Sequence, residues 1–401
     1  MLKILGYGAA GLIALLAVIW WAIGPDYRAA LRDMPEGNDV FAFTLNQRDI
    51  AFRLLDAAPW IMRSRDIDAG GDVKPLPAGE PLQIDLDMDA YFEKQRAAAL
   101  IIIHDGRIRY ERYGLDFRPN KRWTSFSVGK SLTSTLAGAA LQDGYIESLD
   151  DPVTKYVPEF IGTAYDGPTV EHILKMTSGV DWDEDYGDPD SDVRSLNDHV
   201  PEEGVPQLIS YLSTLGRRSE PGEQFYYNSS ETGLIGLIVS RAVERPLADY
   251  LSETIWRPYG MQQKATWMID PDGVELAGCC IQATPRDFAR FGLFVLDEMT
   301  GNPSGEIPEG WFETAGAQLI EDTGEPGWGY GYQWWTFEDG SFTADGVFGQ
   351  AIFVDPNRDL VIASNSSWTS PVGRVDGEFE ERDDFWAAVK IAIDNEKGLT
   401  R

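Results

Sequence analysis

Cysteine, histidine and positive charge are all scarce in this chain. Its only cysteines are the neighbours Cys279 and Cys280, so there is no disulfide framework, and an ordinary structural disulfide between adjacent residues is not expected. Neither a zinc-ligand spacing nor a C-x-x-C redox pair occurs. The three histidines, His104, His172 and His199, fall in unrelated contexts without an H-E-x-x-H pattern. No metal and no organic cofactor is implied. Lysine and arginine total 34 against 65 acidic residues, a formal charge of -31. Such a field repels nucleic acid and anionic lipid surfaces and argues against nucleic acid as a partner.

What is present describes a globular protein: 401 residues, 43% apolar and 12% aromatic. The one long charge-free run, Ile4 to Ile23, is followed by Gly24-Pro25-Asp26, which reads as a helix stop. It predicts an uncleaved membrane anchor over residues 4–23, with a cleaved signal segment as the competing reading. Residues 1–25 are thus set apart as anchor or signal, 26–95 as an irregular lead-in, and 96–401 as the main domain. Within that domain a helical subdomain is expected at about 146–320.

The main domain opens with AAALIIIHDGRIRYERYG over Ala97 to Gly114, two strands joined at His104-Asp105-Gly106, a hairpin signal. A helical pattern runs from Ser127 to Gln142. Further strands are expected within Tyr330–Trp335, Gly340–Ala344, Gly346–Val354 and Leu360–Ser364, before a closing helix at Asp383–Asp394. Strands at both ends with helices between them imply one antiparallel sheet completed by distant segments, flanked by helices in α+β layers.

Ser127 and Lys130 form S-x-x-K at the start of the predicted helix. Residues i and i+3 share a helix face, so the amine can reach the hydroxyl and, once desolvated, accept its proton. First-turn N–H groups can stabilise developing negative charge. Alone the pair is weak evidence, since roughly one is expected by chance in a chain of this composition. A P-loop reading of Gly129-Lys130-Ser131 fails because Thr124 stands where glycine is needed. A G-x-S-x-G elbow is absent. A second element is Tyr226-Tyr227-Asn228, a Y-x-N tripeptide before another helix. Read blandly, Tyr226 packs and Asn228 caps that helix; read with Ser127 and Lys130, Tyr226 is a proton carrier.

Together with Ile102–Gly106, Leu149-Asp-Asp-Pro152, Ile173–Gly179, Pro258-Tyr-Gly-Met261 and Thr284–Phe291, these motifs give a resemblance. Over about residues 100–391 the chain resembles the serine β-lactamase and penicillin-binding superfamily, in the class C-like branch with family VIII esterases and 6-aminohexanoate-dimer hydrolases. The resemblance implies an α/β transpeptidase-like fold, an acyl-enzyme on Ser127, and Lys130 with Tyr226 handling the proton. It also implies location outside the cytoplasm. The family's third motif, normally K-T-G or H-T-G, matches Ala344-Asp345-Gly346. That match implies Ser127 and Val347 as the oxyanion hole and Gly346 and Gln350 as substrate-binding groups, and the Y-x-N element implies Asn228 as another. Ala344 replaces the cation, which points toward an uncharged small-molecule ester or amide. A β-lactamase or D-amino-acid peptidase, and a tethered binding protein without turnover, are the alternatives. Oligomeric state is left open.

Overall fold

A computed structural model describes residues 12, 14–35, 37, 39–55, 63–301 and 303–398. Its strands are β1 (Ser64–Ile67), β2 (Ala97–His104), β3 (Arg107–Tyr113), β4 (Trp123–Thr124), β5 (Ala265–Met268), β6 (Ile281–Ala283), β7 (Gly329–Tyr330), β8 (Trp335–Thr336), β9 (Phe342–Gly346), β10 (Gln350–Asp355) and β11 (Leu360–Ser366). Seven of them form one antiparallel sheet in the order β3-β2-β11-β10-β9-β8-β7, and β1-β5-β6-β4 form a smaller one. The expected hairpin closes with His104 opposite Arg107, and Asp105 and Gly106 both take the positive φ that a two-residue turn of this kind requires. β11 then pairs with β2, Leu360 opposite His104, which joins the two ends of the domain in one sheet.

β2 is an uninterrupted apolar run because helices cover both of its faces. Ile101 and Ile103 point into a core shared with the middle helices, while Leu100 and Ile102 point into a second core under the closing helix, Glu378–Glu396. The helix Pro285–Thr300 lies on the first face, where Gly292 lets it approach. A Cβ there would stand 2.5 Å from Val361. Its Thr284 cap and the buried Asp287–Arg290 pair at 2.9 Å give the Thr284–Phe291 motif a structural purpose.

Three expectations differ from the structure. Residues 26–95 carry β1 and the short helices Leu45–Ala51 and Met88–Lys94, each begun by a side-chain cap, Thr44 with Gln47 and Asp87. Capped elements this short leave little apolar periodicity to read. The membrane anchor over 4–23 is corrected: among the described residues no helix is long and apolar enough to cross a membrane. Residues 4–11 and 13 lie outside the described ones. Residues 14–22 are helical and end in a turn at Ile23, so the expected stop is there, and Gly24-Pro25 also opens the next helix, Gly24–Arg32, since proline is suited to a first turn where no N–H donor is needed. The extracytoplasmic placement that accompanied the anchor is not retained. Finally, Cys279 and Cys280 are bonded to each other as a vicinal disulfide, with Cys280 at a left-handed φ of 70°.

Candidate active site

Ser127 is the N-cap of the helix Val128–Gln142, yet its hydroxyl caps no backbone N–H. That leaves it for Lys130, one turn on, whose Nζ lies 2.9 Å from Ser127 Oγ and donates to Gly278 O at 3.1 Å. The first turn sits against the disulfide segment, and Gly129 permits this: a Cβ there would stand 3.2 Å from the Cys279 backbone. Ser127 keeps 9% of its surface exposed and Lys130 only 3%. Burial draws the Lys130 ammonium down to about 8, against the pull of the Glu184 carboxylate.

The strand β9 reaches this turn at Gly346. A Cβ on Gly346 would stand 2.9 Å from Ser125 O and 3.0 Å from Ser127 N, so only glycine lets the strand lie against the nucleophile turn. The Val347 amide follows directly. Ala344 is fully buried in the core, and Asp345, its side chain on the other face of the strand, pairs with Arg382. Asp345 therefore does not stand in the cleft as an unpaired charge.

Of the two adjacent tyrosines, the structure brings Tyr227 to the site and not Tyr226. In an extended segment, side chains alternate. Phe225 and Tyr227 share one face, packing on Trp335 at 6.1 and 5.5 Å. The Tyr227 ring lies 5.3 Å from Lys130 Nζ. Tyr226 points the other way, donating to Gln224 at 2.7 Å with the Arg218 guanidinium over its ring at 4.3 Å. The Tyr227 phenol is held far above its usual range by burial and by the Glu184 and Asp345 carboxylates. A hydrogen bond with Ser127 opposes the shift.

Two other expected substrate groups are occupied structurally. Asn228 is the N-cap of the helix Ser229–Ala242: its Oδ1 accepts from Ser230 N at 2.9 Å and Glu231 N at 3.3 Å, and the residue is buried. Gln350 is fully buried. Its amide nitrogen donates to Val347 O, Phe348 O and Ser366 O at 3.2, 3.1 and 2.8 Å, and its oxygen accepts from Trp123 Nε1 at 3.0 Å. It holds the turn after Gly346 and has no free polar atom to offer a ligand.

The beta-lactamase family model matches residues 88–384. A 6-aminohexanoate-dimer hydrolase of Paenarthrobacter ureafaciens is 33% identical over 300 residues, 71% of this chain and 76% of that protein. The chain belongs to the beta-lactamase family. This family member is a serine hydrolase, as are relatives such as the esterase EstB of Burkholderia gladioli, 24% identical over 68% of this chain and 86% of that one. For the fold, a Bacillus anthracis structure provisionally assigned as a 6-aminohexanoate-dimer hydrolase superposes with a TM-score of 0.77 at 21% identity, covering 92% of this chain and 99% of that one. A class C beta-lactamase superposes at 0.54 and 15% identity, covering 75% and 93%. The expected transpeptidase-like α/β fold is thereby borne out.

One residue of this hydrolase's site escaped the sequence reading. Glu184 accepts from Ser229 N at 3.0 Å, from the Ser229 hydroxyl, from Tyr186 OH at 2.6 Å and from Trp182 Nε1 at 2.5 Å. Its charge acts on both Lys130 and Tyr227. In sequence it is one acid in the run Asp183-Glu184-Asp185, and nothing there separates it from a solvated surface.

Proposed function

We propose that Ser127 is the nucleophile for two-step hydrolysis of an uncharged ester or amide. The observation that carries this reading is the buried Lys130 amine 2.9 Å from Ser127 Oγ, its affinity for a proton drawn down to about 8. Ser127 Oγ attacks the carbonyl carbon and its proton passes to Lys130 Nζ. Negative charge on the carbonyl oxygen develops against the N–H groups of Ser127 and Val347. Tyr227, kept as a phenol, hands a proton to the leaving oxygen or nitrogen as that bond breaks, and Lys130 restores it. Alcohol or amine departs and Ser127 is acylated. Water then attacks the acyl carbon, its proton returns through the same pair, and the acid leaves with Ser127 regenerated.

Because Lys130 must be unprotonated to act, kcat/KM should climb about tenfold per unit below an apparent pKa near 8 and level off above it. A profile of p-nitrophenyl acetate hydrolysis measures this. A rate flat from about pH 6 to 9 would assign the base elsewhere.

Substrate choice follows from the missing cation. With Ala344 buried in the core and Asp345 paired to Arg382, no basic side chain of the third motif meets a substrate carboxylate. A charge-assisted contact is worth about 1.5–3 kcal/mol, so anionic β-lactams should lag neutral esters by roughly ten- to a hundredfold in kcat/KM. A panel of p-nitrophenyl esters, linear amide oligomers and nitrocefin tests the reading. Nitrocefin turnover equal to that of the best ester would refute it.

A further inference from the structure

The segment 39–52 lies before the residues matched by the family model, yet three of its side chains reach the catalytic loops. Phe41 stacks on Tyr186 at 5.2 Å and packs on Phe348 at 5.9 Å. Arg48 lies over the Phe348 ring at 4.6 Å and donates to Thr369 O at 2.9 Å. Phe52 packs on Phe126 at 4.9 Å and on Phe348 at 5.4 Å. Phe126 immediately precedes Ser127, Phe348 immediately follows Val347, and Tyr186 donates to Glu184. Phe126 and Phe348 both hold positive φ, 42° and 62°, a conformation that bulky residues keep only when their surroundings impose it. The segment therefore supports the turns on both sides of the reacting groups.

Between this segment, the 184–187 loop with Arg194 of the helix Asp192–Asp198, and the 370–375 loop opens a cavity of about 620 Å³. Phe41, Tyr186, Pro371 and Val375 give it apolar walls, and Glu184 joins it to Ser229 beside Tyr227. Its two arginines are both engaged, Arg194 with Asp39 at 2.6 Å and Arg374 with Glu325 and Glu380 at 2.5 and 2.9 Å. Glu184 and Asp185 add negative charge to the lining, Asp39 being taken up by Arg194. An anionic group is unwelcome there, while an uncharged apolar chain has surface to bury.

We propose that residues 39–52 form one wall of the active site and that the cavity receives an uncharged apolar arm of the substrate, with Phe41 setting the preferred arm length. This rests on Ser127 as the nucleophile. Two series of esters test it on the full chain: p-nitrophenyl acetate to octanoate lengthens the acyl arm, and ethyl to hexyl acetate the leaving arm. In one series kcat/KM should rise with length. Phe41→Ala should cut the long-to-short ratio in that series about tenfold. Val375→Asp, at a position 82% exposed on the 370–375 loop, should cut it in the same direction without touching the packed segment. A parent indifferent to length in both series, or a ratio that neither variant moves, overturns the proposal. Fluorophosphonate labelling of Ser127 in the same samples separates the two failures. A labelled parent without length preference loses only the arm site, whereas an unlabelled, inactive parent loses the nucleophile and the arm site with it.

Discussion

Tyr227→Phe is expected to lower kcat/KM by about 10²- to 10⁴-fold, whereas Tyr226→Phe should stay within about twofold of the parent. The two substitutions remove the same atom from neighbouring residues, so composition and local helix propensity are constant between them. What differs is direction. Tyr227 shares its face with Phe225, packs on Trp335 and lies beside Lys130, while Tyr226 donates to Gln224 at the surface. The phenol must also stay protonated until the leaving group needs it, which burial and the Glu184 carboxylate ensure. If Lys130 and Tyr227 form one relay, Lys130→Ala combined with Tyr227→Phe should cost little more than either alone. Steady-state kinetics on a neutral p-nitrophenyl ester settles both points. A large loss from Tyr226→Phe with a small one from Tyr227→Phe would reverse the assignment.

Gly346→Ala should reduce kcat by about 10²- to 10³-fold, the scale seen when one oxyanion donor is removed. The added methyl would meet Ser125 O at 2.9 Å and Ser127 N at 3.0 Å, both backbone atoms that cannot swing aside. Strand β9 must then retreat from the nucleophile turn and carry the Val347 amide with it. Gly346 lies at the end of β9, and its neighbour Gln350 continues to hold the Val347 carbonyl. The loss should therefore fall on kcat more than on KM. Circular dichroism and a melting curve establish that the variant is folded. Full activity in Gly346→Ala would show that the Val347 amide takes no part.

The fold was largely legible because its decisive signals are local and apolar. AAALIIIHDG carries both the hairpin and, in its lack of alternation, a strand covered on both faces. Ser127 and Lys130 needed only the i, i+3 geometry of a helix to be placed together. The tyrosine was misplaced by one residue because a Y-x-N spacing says nothing about which side of an extended segment faces inward. Asn228 takes the N-cap role that its place before a helix also predicts, its Oδ1 accepting from the Ser230 and Glu231 N–H groups. Gln350 was misread for a related reason, since a glutamine beside a site looks the same in sequence whether it meets a ligand or a backbone turn. Glu184 carried no motif, and residues 39–52 carried only the Thr44-Leu-Asn-Gln47 capping box, which marks a helix start and no site. Their roles depend on contacts with segments more than 40 residues away, which no local pattern encodes.

The most direct test of the account is to treat the full-length protein with a fluorophosphonate probe and map the adduct by intact and peptide mass spectrometry. One probe per chain on Ser127 is predicted, with loss of both labelling and hydrolysis, by about 10³-fold or more, in Ser127→Ala. Stoichiometric labelling of a different serine, with Ser127→Ala retaining full hydrolysis, would contradict it.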